Sequence, residues 1–257
     1  MTVIELSSDA FSSCPPLAEV PIFTGTARAV VERLAAGRIW LDGSAAHALH
    51  TYGMSLVWGE DVGRAFPALI EHLKGGAYRE KDEWLQIDPR WSHLDWDGQL
   101  EAQRFARVNF RFDRNIFEAR HAAPVLPPDW SIAPLREEEF DPPDIAVSPR
   151  PFWKSFRSFS DHGGGVVAVR DGEIGAIAFA ATRFDDWLEI GIETRAAYRG
   201  QGLARAVAAA MIRNCLASGL TPVWACRKEN TASLMLAQNL GFVATKEVPF
   251  WRLEGKE

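Results

Sequence analysis

The chain has 257 residues, of which 47% are apolar and 24% are charged, as in a globular protein of one or two domains. Its formal net charge of −6 argues against a general nucleic-acid binder, and no apolar run approaches the ~18 residues that would predict a membrane-spanning segment. The amino terminus lacks a secretion signal and the three distant cysteines form no C-x-x-C pair, which predicts a cytoplasmic protein without structural zinc.

The first half of the chain predicts a small mixed α/β unit. Amphipathic periodicity indicates two helices that end at Gly37 and Gly75, and alternation of apolar and polar residues indicates two strands. The predicted helices span residues 27–36 and 61–74, and the predicted strands span residues 38–41 and 104–112. This half contains no phosphate-binding loop and no metal-ligand spacing. A proline-rich stretch at 121–129 then predicts a boundary between domains 1–125 and 126–257.

The second half predicts alternating strands and helices with clear turn signals. Asp171-Gly172 is typical of a hairpin turn, Gly219 and Gly241 are predicted helix ends, and Asn230 is a predicted N-cap. Beyond a possible strand at 130–135, the predicted strands span residues 166–181 (as a hairpin), 187–194, 222–226 and 243–253, and the predicted helices span residues 203–218 and 231–240.

A glycine-containing loop, R-G-Q-G-L-A, joins the strand 187–194 to the helix that follows. Free amides at the start of a helix bind anions, so this order predicts a phosphate site. A P-loop lysine is absent, and Arg205 stands where a dinucleotide fingerprint needs its third glycine. No acidic residue lies between Thr194 and Lys228, whereas six cationic residues occur over 195–228, which favours a ligand with several phosphates.

Arg199-x-x-Gly202-x-Ala204 resembles the R/Q-x-x-G-x-G/A signature of the GNAT superfamily of N-acetyltransferases. The later N-x-x-S…L-G-F segment resembles the following helix of that superfamily, and the likeness covers about half the chain, from Trp130 onward. Within the superfamily, the residues of these motifs are most similar to those of a zwittermicin-resistance-type sub-group. The resemblance implies an α/β fold with a mixed, mostly antiparallel sheet flanked by helices. For the smaller N-terminal α/β domain, a degenerate copy of the same fold is one interpretation.

The resemblance implies acetyl-CoA as cofactor. In the family, pantetheine pairs with the strand before the loop, the pyrophosphate lies on the loop amides, and two residues of the next helix contact the CoA arm. The corresponding residues here are Ile192, Glu193 and Thr194 on the strand, Arg199, Gly200, Gln201, Gly202, Leu203, Ala204 and Arg205 on the loop, and Asn230 and Ser233 on the helix. A plain helix cap and a first-turn serine are the structural alternatives for the last two.

Acetyl transfer to an amine requires a base, and Glu193 is the first candidate because it lies on the strand beside the expected thioester. Glu189 is the second candidate. For both, a solvent-facing strand carboxylate is the structural alternative. Many family members carry a tyrosine in the last helix that protonates the leaving thiolate, but Ala237 occupies that position here.

The function predicted from the sequence is acetyl transfer to a primary amine of a small molecule, either an amino acid-like metabolite or an amine-containing antibiotic. The alternatives are a non-catalytic acyl-CoA-binding module and a protein N-acetyltransferase. We predict a monomer or homodimer without metal, nucleic-acid or membrane partners. The tryptophan-rich segment 84–96 of the N-terminal half is predicted to form part of the acceptor pocket.

Overall fold

The computed structural model describes residues 3–120 and 126–256. The chain divides into two compact units. The first unit contains Met1–Arg107 and Glu247–Glu257, and the second contains Val108–Lys246. Residues 121–125 of the predicted domain boundary lie outside the described residues, and the assignment of different roles to residues 1–125 and 126–257 stays a prediction.

The first unit is a sheet with helices. Its elements are β1 (Ile4–Glu5), α1 (Gly25–Val31), β2 (Gly37–Asp42), β3 (Ala45–His50), β4 (Met54–Gly59), α2 (Val62–Gly75), β5 (Glu83–Ile87) and α3 (Trp96–Leu100). The strands β1 to β4 pair in sequence order and antiparallel, and β4 then pairs with β5 in parallel. The end of β12 (Phe242–Leu253) pairs antiparallel with β5.

Two groups of buried side chains hold the first unit together. The apolar face of α2 packs with β4, β5 and two tryptophans in one cluster, and α1 packs with β2, β3 and β4 in the other. The largest members of the first cluster are Trp96 and Trp251, and Trp58 is the largest member of the second. Burial of such side chains contributes about 1.5–3 kcal/mol each, which explains why short strands suffice here.

The second unit is a mixed sheet with helices. Its elements are the second half of β6 (Gln103–Phe112), α4 (Arg114–Arg120), β7 (Ser131–Pro134), α5 (Phe156–Asp161), β8 (Gly165–Arg170), β9 (Glu173–Phe184), β10 (Trp187–Thr194), α6 (Leu203–Ala217), β11 (Thr221–Arg227) and α7 (Thr231–Asn239), with β12 as far as Lys246. The strand order is β12-β6-β11-β10-β9-β8-β7. Asp171 and Gly172 both have positive φ, as a two-residue hairpin turn of type I′ requires.

The two units share an order of elements. Residues 37–87 form an antiparallel three-stranded meander, a helix and a parallel strand (β2, β3, β4, α2 and β5), and residues 165–227 form the same series (β8, β9, β10, α6 and β11). We call these segments the first repeat and the second repeat. The predicted fold class, a mixed and mostly antiparallel sheet flanked by helices, is confirmed, and the shared order supports the degenerate-copy interpretation of the N-terminal half.

Most departures from the predicted elements fall in the first unit. The helix predicted at 27–36 is wrong at its end: α1 stops at Val31, Arg33 takes a left-handed φ of 61°, and Gly37 begins β2 instead of ending a helix. The prediction also missed β3, β4 and β5. In the second unit the predicted strand 187–194 and the helices after it match β10, α6 and α7 within one residue at either end.

Candidate active site

Strand β10 separates from its neighbour β11 part-way along its length. The two strands pair in parallel through residues 187–189 and 221–223. Beyond that point β10 continues to Thr194 and β11 continues to Arg227, while β10 stays paired with β9 on its other side. The second half of β10 therefore has an edge that its parallel partner does not cover. A ligand with amide groups can hydrogen-bond to such an edge as an added strand would.

The link from β10 to α6 places two glycines in left-handed backbone conformations. Gly200 has φ +79°, Gly202 has φ +82°, and no atom lies within 4 Å of the position that a Cβ would occupy at either residue. In the described part of the chain, the amides of residues 200–204 donate to no backbone carbonyl, and the first bond into α6 runs from the Ala206 amide to the Gly202 carbonyl. Open amides at the positive end of a helix of 15 residues form an anion site. The geometry fits the pyrophosphate of CoA.

A cluster of aromatic and charged side chains fixes the segment that precedes this loop. The Tyr198 hydroxyl donates a hydrogen bond to Glu173, which raises the pKa of Tyr198. The Arg170 guanidinium lies 4.6 Å from the Trp130 ring centre and 5.5 Å from that of Tyr198. These contacts hold the turn before Arg199 against the β8–β9 hairpin.

Glu193 lies beside the glycine loop and is paired with its first residue. The Arg199 Nη2 is 3.2 Å from Glu193 Oε1, the same oxygen accepts the Thr194 amide at 3.0 Å, and the side chain of Glu193 is 18% exposed. Arg199 Nε also donates to the Thr194 carbonyl. The first candidate base is therefore positioned by hydrogen bonds and in contact with the loop, rather than standing free in solvent.

Glu189 is more deeply buried, at 8% exposure. It lies on the same face of β10 as Glu193, because side chains alternate along a strand. The Thr182 hydroxyl donates to Glu189 Oε2 at 3.3 Å. This contact lies next to a β-bulge, at which Ala181 of β9 has no paired residue on β10. Gly191, between the two glutamates, leaves no room for a side chain, because a Cβ there would lie 2.5 Å from the Phe179 ring. Two carboxylates and an aromatic ring thus share one face of the strand.

The proline-rich segment 141–153 covers this face. The Phe152 ring packs on Phe179 with 5.7 Å between ring centres, and Asp144 forms an ion pair with Arg195, which follows β10 directly. Ile145 is buried, and Ser148 is buried and donates to Asp141, so the segment is anchored on both sides of Asp144. Neither Asp144 nor Thr182 belongs to a motif that the sequence predicts as part of the site. The clustering of acidic residues and prolines was the only signal for Asp144, and Thr182 could be placed only once the register of β9 was known.

The residues predicted on the last helix have mainly structural partners. Asn230 caps α7, since its Oδ1 accepts the Ser233 amide at 3.1 Å. The Ser233 hydroxyl accepts the Trp224 indole N–H, which leaves its own proton available to a ligand. Ala237 is fully buried, so the position of the family tyrosine is occupied by core packing.

Metal-ligand clusters and membrane-spanning helices are both absent from the described residues. Over residues 3–120 and 126–256, no cluster of three or more His, Cys, Asp or Glu side chains is suited to a metal ion. Within the same ranges, no helix combines the length and the apolar character that a bilayer crossing needs.

A family model for GNAT acetyltransferases matches residues 22–250. The chain belongs to the GNAT acetyltransferase family. Acetyl-CoA is the cofactor of this family, so the cofactor predicted from the signature loop is confirmed, as is the predicted class of enzyme. The zwittermicin-resistance-type sub-group remains a prediction.

Solved structures of the family share the fold. A GCN5-related N-acetyltransferase-like protein from Streptococcus suis is 23% identical with a TM-score of 0.64, and the match covers 88% of this chain and 90% of that one. A tandem GNAT protein from the clavulanic acid biosynthesis pathway is 14% identical with a TM-score of 0.58, covering 99% and 98%. The tandem architecture agrees with the two repeats described above.

A curated relative, the uncharacterized N-acetyltransferase YdfB of Bacillus subtilis, is 31% identical over 96 residues. This match covers 37% of the chain and 37% of the length of that relative.

The fold brings most of the predicted site residues together. Glu193, Thr194 and Arg199 are joined by hydrogen bonds, and the amides of residues 200–204 follow directly. Asn230 and Ser233 form a separate cap at the start of α7. In the predicted acceptor segment 84–96, Trp96 is only 2% exposed within the core of the first unit, and Trp84 stacks on Phe250. Its role toward an acceptor stays a prediction.

Proposed function

We propose that the protein transfers an acetyl group from acetyl-CoA to a primary amine of a small molecule, and that the second unit carries the reaction. The observation that supports this most is the combination of an uncovered β10 edge, an open glycine loop and two glutamates on one strand face. Residues 192–194 would hold pantetheine. The loop from Arg199 to Arg205 would hold the pyrophosphate, with Asn230 and Ser233 beside the CoA arm.

The residues of the chain would act mainly on the amine. An amine with a pKa near 10.4 is mostly protonated near neutral pH, and freeing it costs about 4 kcal/mol, against about 1 kcal/mol for an α-amino group. Glu193, directly or through water, would take this proton, with Glu189 as the second candidate. The acetyl group comes from the thioester of acetyl-CoA. The Ser233 hydroxyl or water would serve the leaving thiolate, because Ala237 offers no proton.

The test follows thiol release from acetyl-CoA with a panel of primary amines and the variants Glu193→Gln and Glu189→Gln. We expect Glu193→Gln to lower turnover at least about tenfold for high-pKa amines and less for α-amines, because general-base catalysis typically contributes about 10²–10⁴-fold. Glu189→Gln tests the second candidate on the same strand face, and a selective loss for high-pKa amines in that variant alone would assign the base role to Glu189. Equal losses for both classes of amine would rule out Glu193 as the base.

The alternative is a non-catalytic acyl-CoA-binding module. The buried Ala237 and the pairing of Glu193 with Arg199 are the observations that favour it. It predicts CoA binding with no thiol release for any amine, so the same assay, together with a CoA titration, separates the two functions. A protein N-acetyltransferase would instead release thiol only with peptides.

A further inference from the structure

Arg195 is an incompletely paired cation next to the candidate base. Its amide donates to the Gly175 carbonyl at 2.9 Å, which fixes the backbone, and its side chain is 22% exposed. The buried Nε has no hydrogen-bond partner in the described parts of the chain. The Asp144 carboxylate lies 3.7 Å from Nη2, which is longer than a hydrogen bond, and Asp144 is 74% exposed. Buried donors without partners are rare in native proteins and mark sites where a ligand can complete them.

The alternation of β10 places Glu189, Gly191 and Glu193 on one side, and Arg195, the first residue after the strand, continues the pairing with β9 through its amide bond to Gly175. Glu193 and Arg195 are two residues apart, so their Cα atoms are separated by about 7 Å. The segment 141–153 covers the same side through Phe152 and Asp144. A molecule that binds against Glu193 on this side therefore also lies close to the position of Arg195.

We infer that Arg195 binds a carboxylate of the acceptor, and that the acceptor is a carboxylate-bearing amine such as an α-amino acid. Asp144 holds the place of that carboxylate through a long, solvent-exposed ion pair. A guanidinium pairs with a carboxylate through two parallel hydrogen bonds, one of which can come from the unpartnered Nε. In an α-amino acid one carbon carries both the amine and the carboxylate, so a compact ligand can present both groups to two long side chains that start from neighbouring positions of the chain. This inference rests on the proposed function and narrows its substrate class.

The experiment measures binding without turnover. Protein saturated with CoA, which carries no acetyl group, is titrated calorimetrically with the proteinogenic L-amino acids and with their α-carboxamides, at equal concentrations of the unprotonated amine. The variants are Arg195→Gln, Arg195→Lys and Asp144→Asn, and the matched control is Arg157→Gln, at a side chain that is 93% exposed in the same unit. CoA affinity is measured for each variant, and thiol release with acetyl-CoA follows the same pairs of compounds.

We expect at least one amino acid to bind about tenfold or more tightly than its carboxamide, since a charged hydrogen bond contributes that much. Arg195→Gln should remove this preference and leave CoA affinity within about twofold of the wild-type value. Arg195→Lys should restore part of it, Asp144→Asn should tighten amino acid binding severalfold, and Arg157→Gln should behave as wild type. When kcat/KM for each amino acid is divided by kcat/KM for its carboxamide, the result should follow the ratio of their affinities.

Three results would overturn the inference. The first is that no amino acid binds, and the second is that amino acids and their carboxamides bind equally. The third is that Arg195→Gln loses CoA affinity but keeps the preference for an amino acid over its carboxamide, which would assign Arg195 to the cofactor. The proposed function fails separately. Thiol release with carboxylate-free amines alone would support acetyl transfer and refute the carboxylate site, whereas Arg195-dependent amino acid binding without thiol release from any amine would support the site and refute the transferase.

Discussion

The two repeats have the same order of elements and differ at the turn before the helix. In the first repeat, β4 and α2 are joined by Glu60 and Asp61 alone, and β4 stays paired with β5 over residues 54–57. In the second repeat, eight residues including Gly200 and Gly202 join β10 to α6, and the pairing with β11 stops after three residues. An anion site at a helix start thus needs a longer link with left-handed glycines, which the fold alone does not provide.

The Asp61 carboxylate in the acidic turn of the first repeat is paired with nearby donors, although it makes no hydrogen bond to the amides that begin α2. The Asp61 carboxylate accepts the Ser44 amide at 3.2 Å and the Arg64 guanidinium at 2.8 Å, and the hydrogen bonds from Ser44 lower the pKa of Asp61. Two carboxylates at the start of α2 would also repel a phosphate. A carboxylate therefore lies at the helix start in the first repeat, where the second repeat has Gly202.

The first unit also contains a buried charge network with no counterpart among the contacts described for the second unit. Glu83 is fully buried and has four partners at 2.6–2.9 Å: His47, Ser55, Tyr78 and Arg79. Burial opposes its charge, but His47, Ser55 and Arg79 outweigh that effect and lower the pKa of Glu83 to about 2. The His72 ring meets His47 at 3.1 Å, and burial together with the charge of His47 lowers the pKa of His72 to about 3.

The largest expected effect is that of Glu83→Gln on stability. The amide cannot accept from all four partners, and Arg79 would lose its buried counter-charge, so the free energy of unfolding should fall by about 3–5 kcal/mol. Urea unfolding measures this change, and Glu101→Gln is the control, because its ion pair with Lys74 is exposed and contributes little to stability. CoA affinity under native conditions should not change. A loss of affinity in a folded variant would show that the two repeats do not differ in function as described.

The second effect concerns the loop, and it converts the second repeat toward the first. Gly202→Asp places a carboxylate at the start of α6, where Asp61 stands before α2. We expect CoA affinity to fall about hundredfold, or about 3 kcal/mol, because the carboxylate competes for the open amides and repels the pyrophosphate. Gly202→Asn is the matched control, since asparagine tolerates the same φ without the charge. Equal losses in both variants would assign the effect to backbone strain rather than to charge.

These differences explain what the sequence could predict. In the second unit, β10, α6 and α7 were predicted almost to the residue, because their ends carry local signals such as Gly202, Asn230 and Gly241. In the first repeat, β4 is buried along its whole length and β3 at five of six residues, so neither strand shows alternation. Their positions follow from pairing with distant segments, which no local pattern records.

The candidate site likewise contains features that the sequence predicts and contacts that it does not predict. The loop from Arg199 to Ala204 was predicted because glycine spacing and the absence of acids are properties of the sequence itself. The pairing of Glu189 with Thr182 depends on a bulge that skips Ala181, and the pairing of Arg195 with Asp144 joins residues that are distant in sequence. Such contacts depend on register and on loop path, which the sequence leaves undetermined.

The third prediction is an acid dependence of stability that originates in the first unit. The ordinary pKa of histidine is 6.5, and the folded protein lowers that of His72 to about 3, so the unfolded chain binds the proton more readily. Stability should therefore fall as the pH drops from 6.5 toward 3, by at most about 2 kcal/mol between pH 7 and pH 5. Glu83 adds to the loss between pH 4.5 and 2. Urea unfolding across this pH range, with His72→Gln as the comparison, should show a flatter curve for the variant; identical curves would exclude His72 as the source.

The smallest expected effect is that of Asp61→Asn, and it tests whether the first repeat retains a hidden cofactor site. Removing this carboxylate takes away part of the repulsion and leaves Glu60, but the turn still has only two residues, neither of them glycine, and β4 still pairs with β5 over residues 54–57. Calorimetric titration with CoA should therefore give one site per chain, with affinity unchanged and only a small loss of stability, because an exposed ion pair contributes little. A second equivalent of bound CoA would mean that charge alone had closed the first repeat, and that the link length and strand separation of the second repeat are not what make its site.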